Sequence, residues 1–124
     1  MTETFAIPSS ANSHVPMVTV TKNRMIGFNA AALTLLDVRP GDYVPFTLGF
    51  DRDQARIVIT RNSAGDGERQ FWLSAKKGKW PAFCARLFFQ WIQVFPQRTM
   101  RFRLERGDGN FFFCITEPFA EDTA

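Results

Sequence analysis

When the chain is slid along itself until Leu36 lies on Ile92, apolar positions fall on apolar positions through a helix end, a turn and two strands. No other feature limits the fold as strongly. At that single offset Val38 meets Val94, Phe46 meets Phe102 and Leu48 meets Leu104. Ile57 meets Phe113, Ile59 meets Ile115 and Thr60 meets Thr116. Alternating strands match each other at many offsets, but here one offset without a gap also keeps the turn length. A unit of this size buries little core alone, and two copies packed as a pseudo-dimer bury what each leaves open. The expected fold is α+β: two tandem β-α-β-β units forming a mainly antiparallel β-sheet or barrel with two helices.

The local signals divide the 124 residues into five stretches. Residues 1–16 are Ser-, Thr- and Pro-rich without periodicity and read as an arm. Residues 17–60 are the first unit. MVTVT at 17–21 is a strand signal, Asn29 an N-cap, and Ala30 to Leu36 a short helix. Arg39-Pro40-Gly41-Asp42 suits a type II turn, with Pro and Gly at its central positions. YVPFTLGF and ARIVIT then predict a hairpin about Asp51–Gln54. Residues 61–68 (RNSAGDGE) read as a linker and 69–116 as the second unit. There, 70–75 predict a strand and Lys76–Lys79 a turn. Pro81 suits a helix start and Pro96 a helix stop, which predicts a helix along WPAFCARLFFQWIQVF. Lys79, Arg86, Gln90, Gln93 and Gln97 form its polar stripe. A last hairpin turns at Arg106–Asn110. Residues 117–124 are an acidic tail.

Residues 17–60 resemble the AbrB/MazE-type swapped-hairpin domain. The likeness rests on MIGFNAAALTLLDVRPGDYV: a strand, an apolar residue before a helix-starting Asn, a short Leu-rich helix, a Pro-Gly-Asp turn and a hairpin. In residues 73–116 Gln97-Arg98-Thr99 stands where the first unit has that turn. The resemblance implies a DNA-binding transcription regulator or antitoxin, dimeric through two interleaved copies. It also implies contacts from basic residues near the first strand and its loop, which here are Lys22 and Arg24.

Charge separates the two units. Residues 17–68 hold six basic and six acidic side chains; residues 69–116 hold nine basic and two acidic, a sum of +7. Such asymmetry points to a polyanion. The strand from Arg98 to Arg106 alternates, with Met100, Phe102 and Leu104 on one face and Arg101 and Arg103 on the other. If Phe102 and Phe113 are core, Phe112 shares the face of the two arginines. Guanidinium groups beside an exposed ring suit single-stranded nucleic acid, phosphates pairing with Arg and bases stacking on the ring. Lys76, Lys77, Lys79 and Trp80 form a second basic and aromatic cluster, whose plainer reading is a solvated turn with Trp80 stapled to the helix. Trp72, Phe83, Leu87, Phe88, Trp91 and Phe95 read as core. The expected nucleic-acid contacts are therefore Arg98, Arg101, Arg103, Arg106, Phe112, Lys76, Lys77, Lys79, Trp80, Lys22 and Arg24.

No catalytic set is present. The single His14 lies in the arm, and no HExxH, GxSxG, P-loop or GxGxxG occurs. Asp51 and Asp53 are turn residues rather than a metal pair, so no metal or cofactor is expected. Cys84 and Cys114 sit in apolar runs and read as buried free thiols of a reducing cytoplasm. No basic n-region or membrane-length apolar run occurs. The expected function is that of a non-enzymatic DNA-binding accessory or regulatory protein preferring single strands. The rivals are a duplex-binding regulator and a structural or inhibitory interaction protein. A partner protein at the acidic tail, and a homodimer by swapping between chains, are further expectations.

Overall fold

A computed structural model describes residues 15–62, 70–76 and 78–118. The His14 reading, the Lys77 contact and most of the acidic tail and linker lie outside the described residues. The elements run β1 Met17–Val20, β2 Met25–Phe28, α1 Ala30–Leu35, β3 Tyr43–Asp51, β4 Arg56–Arg61, β5 Phe71–Ser74, β6 Ala82–Cys84, α2 Arg86–Ile92, β7 Met100–Arg103, β8 Glu105–Arg106 and β9 Phe111–Cys114. The architecture is α+β, mostly strand. Two antiparallel sheets are ordered β6-β2-β1-β7 and β5-β3-β4-β9-β8, and they do not close into a barrel.

Both sheets mix strands from the two halves of the chain. β1 pairs with β7 (Val18 opposite Phe102), β2 with β6 (Ile26 opposite Phe83) and β4 with β9 (Ile57 opposite Phe113). Residues facing each other across a pair point to one side, so these registers aim one apolar row from every strand inward. Phe28 meets Phe46 at 6.5 Å between ring centroids, and Phe102 meets Phe113 at 5.3 Å, each contact crossing from one sheet to the other. The core between the sheets is wholly apolar among the described residues. Leu36, Phe46, Leu48 and Ile57 are all buried in it, as are their counterparts in the second half, Ile92, Phe102, Leu104 and Phe113.

Local chemistry explains the helix ends. The Asn29 side chain accepts from the Ala32 amide at 2.9 Å and the Met17 amide at 3.0 Å, and donates to the Val15 carbonyl at 2.8 Å. One amide thus caps α1 and pins the start of β1. Both helices close through a left-handed residue, Asp37 (φ 60°) and Gln93 (φ 62°). The amides of Val38 and Val94 then donate back to the carbonyls of Leu33 and Phe89. Gly41, at φ 90°, occupies the third position of the expected type II turn, closed by Asp42 N donating to Arg39 O at 3.0 Å.

Two strands depart from the sequence reading. β2 occupies residues where that reading places only the approach to the helix. β6 lies where a helix from Pro81 is expected, and α2 begins only at Arg86. β2 is the second arm of a hairpin with β1, Val20 lying opposite Ile26; for β6 the reason is non-local. Phe28 N donates to Pro81 O, and Ala85 N to Arg24 O, extending the β2–β6 pair at both ends. Burying Ile26 against Phe83 outweighs the helix preference of Ala82-Phe83-Cys84.

The last hairpin also differs. At Leu104 the amide turns away to donate to the Pro16 carbonyl. β7 therefore belongs to the four-stranded sheet, while β8 joins β9 in the five-stranded one. No helix among the described residues is long and apolar enough to cross a membrane.

Candidate nucleic-acid interface

The outward face of the four-stranded sheet gathers part of the expected site. Thr19 lies between Gly27 on one side and Arg101 on the other, and Gly27 is opposite Ala82. This row points away from the core, because its neighbours Val18, Ile26, Phe28 and Phe102 point into it. Arg103 falls one row further along the same face, opposite Met17. Arg101 and Arg103 are both exposed.

Trp80 completes this face. Its six-membered ring lies directly on Gly27: a Cβ built there would stand 2.7 Å from Cη2 and closer still to Cζ2 and Cε2. Only glycine permits this approach. One side of the indole thus rests on backbone, and the residue remains 50% exposed. The expected packing of Trp80 against the helix gives way to packing on the sheet. Lys79, just before it, and Lys76 are both exposed. Gly78, at φ 83°, lets the chain turn between them.

Phe112 does not join the arginines. Because β7 and β8 separate at Leu104, Arg101 and Arg103 belong to one sheet and Phe112 to the other. Its ring lies under the Arg56 guanidinium at 4.3 Å, so one of its faces is already occupied. Arg56 Nε is buried here without a hydrogen-bond partner.

The remaining basic residues are dispersed. Lys22 and Arg24 sit in the β1–β2 turn, at the end of the sheet where β7 begins after Arg98. Arg24 stacks on Phe95 at 5.3 Å. Arg106 is drawn into an open cleft of about 460 Å³ beside the end of α1. There its Nη2 reaches the Leu35 carbonyl at 3.5 Å, and Arg61 Nη1 donates to the Leu36 carbonyl at 3.2 Å and also to that of Asp37. Two arginines distant in sequence thus satisfy the open carbonyls of α1, which has no basic residue in its last turn.

Several residues read as core lie at the surface. Phe83 and Phe88 are buried, but Trp72, Leu87, Trp91 and Phe95 are exposed. Tyr43, which no sequence pattern singles out, is 64% exposed and stacks on Trp72 with centroids 4.7 Å apart. The pairing of β3 with β5 was the missing signal, since it alone brings the two rings together. Cys84 is exposed rather than buried, and both cysteines are free thiols. Asp51 is the turn residue expected, its Oδ1 accepting from the Asp53 amide at 3.1 Å and the Gln54 amide at 3.3 Å. No metal-binding group of His, Cys, Asp or Glu occurs among the described residues.

Comparison with family models, with curated proteins and with solved structures finds no match to this chain.

Proposed function

We propose that the protein is a non-enzymatic DNA-binding accessory or regulatory protein that prefers single strands, and that its contact surface is the outer face of the four-stranded sheet. The observation carrying this reading is the Trp80 ring seated on Gly27, in the same row as Arg101. An aromatic plane held against a sheet, with arginines two strands away, matches what an unpaired strand offers: base faces to stack and phosphates to neutralise. Lys76, Lys79 and Arg103 extend the positive charge. No Asp or Glu occurs between residues 69 and 104, and the acidic stretch that starts at Glu117 comes beside β7, where Pro118 bridges Phe102.

The finer architecture belongs to the same proposal: a duplicated unit folded as a pseudo-dimer within one chain. Corresponding elements start at a nearly constant separation along the chain. Met17 of β1 answers to Phe71 of β5, Met25 of β2 to Ala82 of β6 and Ala30 of α1 to Arg86 of α2. Tyr43 of β3 answers to Met100 of β7, and Arg56 of β4 to Phe111 of β9. The β1–β7 pair has its counterpart in β5–β3, and β2–β6 and β4–β9 join equivalent strands of the two units. The unit is then β-β-α-β-β, one strand longer than the sequence suggests. This interleaving also favours a second reading, a duplex-DNA regulator of the AbrB/MazE kind, with Lys22 and Arg24 as contacts.

A fluorescence anisotropy titration separates these readings. Labelled single-stranded and duplex DNA of one sequence are compared at two salt concentrations, with the native protein and with Arg101→Ala/Arg103→Ala. Single strands should bind more tightly. The double variant should weaken binding and flatten the salt slope by about 0.7 for each phosphate that is no longer neutralised. Tighter duplex binding favours the regulator reading. Binding indifferent to salt sinks both.

A further inference from the structure

We infer that the binding surface continues around the molecule onto the second sheet, where Tyr43 and Trp72 form a second platform for stacking a nucleic-acid base. This inference rests on the single-strand reading above. Tyr43 and Trp72 both point outward from the five-stranded sheet. Tyr43 is opposite Ser74 and Pro45 opposite Trp72, whereas the alternate pair, Val44 and Leu73, is buried. The rings are stacked with 22° between their planes. Trp72 therefore supports one face of Tyr43, and the 64% exposure of Tyr43 leaves its other face to solvent. A rigid, prestacked ring at the surface forfeits burial unless something covers it.

The connection between the platforms identifies the occupant. β5, which carries Trp72, is the edge of its sheet, and β6 is the edge of the other. These two edges pack side by side. The chain joining them is the basic turn with exposed Lys76 and Lys79, and it ends in Trp80. The Ala75 amide donates to the Asp42 carbonyl at 2.8 Å, and its carbonyl accepts from Gly41 at 2.9 Å, holding the start of that turn beside Tyr43. A path from Tyr43 to Trp80 thus runs from aromatic to cation to aromatic. Of the acidic groups near it, Asp42 is engaged through Oδ2 by the Arg39 amide. A partner rich in negative charge and flat rings fits this path; a neutral sugar or an apolar protein face would leave the lysines without a role. From β2 across β6 and β5 to β3, at roughly 5 Å per strand position, the path is about 15–20 Å long. With bases at least about 3.4 Å apart along a strand, that accommodates no more than about six nucleotides.

The test compares oligothymidylates of three and nine nucleotides on the native protein, Tyr43→Ala, Tyr43→Phe and Trp80→Ala, with circular dichroism confirming the fold. Tyr43→Ala should bind the nine-mer at least about fivefold more weakly and bind the three-mer as the native protein does. Tyr43→Phe, which keeps the ring, should retain nine-mer affinity. If the nine-mer binds in a Trp80-dependent way but Tyr43→Ala changes nothing, the second platform is wrong and the single-strand reading stands. If the native protein binds neither oligonucleotide, both fail. A native dimer that Tyr43→Ala dissociates without changing DNA affinity assigns the ring pair to a protein contact and overturns the inference.

Discussion

Gly27 shows how one missing side chain sets a surface. Alanine there would drive its Cβ into the Trp80 ring, so Gly27→Ala should expel the indole while the strand pairs persist. In a two-dimensional NMR spectrum the Trp80 indole N–H should move and those of Trp72 and Trp91 stay. Affinity for single strands should fall by roughly 1–3 kcal/mol, the worth of one stacked base; an unmoved indole signal would show that the ring does not rest on Gly27. The two thiols make a second contrast. Cys84 is exposed, whereas burial, with Glu117 adding to it and Arg56 opposing, pushes the Cys114 thiol above its ordinary range. The thiolate is the reactive form, so a raised pKa holds Cys114 neutral to higher pH. Alkylation followed by mass spectrometry should therefore modify Cys84 first, and Cys114 should gain rate only as pH rises further. Equal rates across the alkaline range would contradict this. Neither contrast was legible in the sequence, because both cysteines sit in similar apolar runs and nothing local links Gly27 to Trp80.

The first helix and the turns of the first half were the most readable elements, since their determinants are local. Asn29, Pro40 and Gly41 announced a cap and a turn, and each takes that place. Asn29 also joins α1 to β1, so Asn29→Ala should cost more than an ordinary cap. Loss of the cap costs about 1 kcal/mol, and leaving the Met17 amide without its acceptor adds roughly as much. Chemical denaturation should then show a loss of about 2 kcal/mol with an unchanged m-value; a loss under about 0.5 kcal/mol would mean that water replaces the side chain at no cost. β2 and β6 were unreadable for the opposite reason. β6 is a strand because β2 lies beside it, β2 is held between β1 and β6, and the partners across the two halves, such as Ile26 and Phe83, are far apart in the chain.

Across the whole molecule, each sheet is built from strands of both halves, and the two halves share one core. Unfolding should be a single cooperative transition, with far-ultraviolet dichroism and tryptophan fluorescence giving the same midpoint. Two separated transitions would show that residues 17–60 and 69–116 fold independently. The same interleaving places the candidate interface. Arg101 from β7, Thr19 from β1, Gly27 from β2 and Trp80 from the chain before β6 reach one face only after the halves have exchanged strands.

By itself the sequence determined which residues alternate, where the chain turns and where positive charge accumulates. All of these follow from side-chain periodicity and backbone preference within a few neighbours. It also placed Arg101 and Arg103 opposite Phe102, since parity along a strand is a local property. Only the tertiary structure decided that the chain leaves one sheet for the other at Leu104. That change left Phe112 beneath Arg56, and the separate pairing of β2 with β6 set Trp80 on the face of the arginines. Sheet membership is set by which distant strand pairs best with each segment. That competition between long-range contacts leaves no mark on the local pattern.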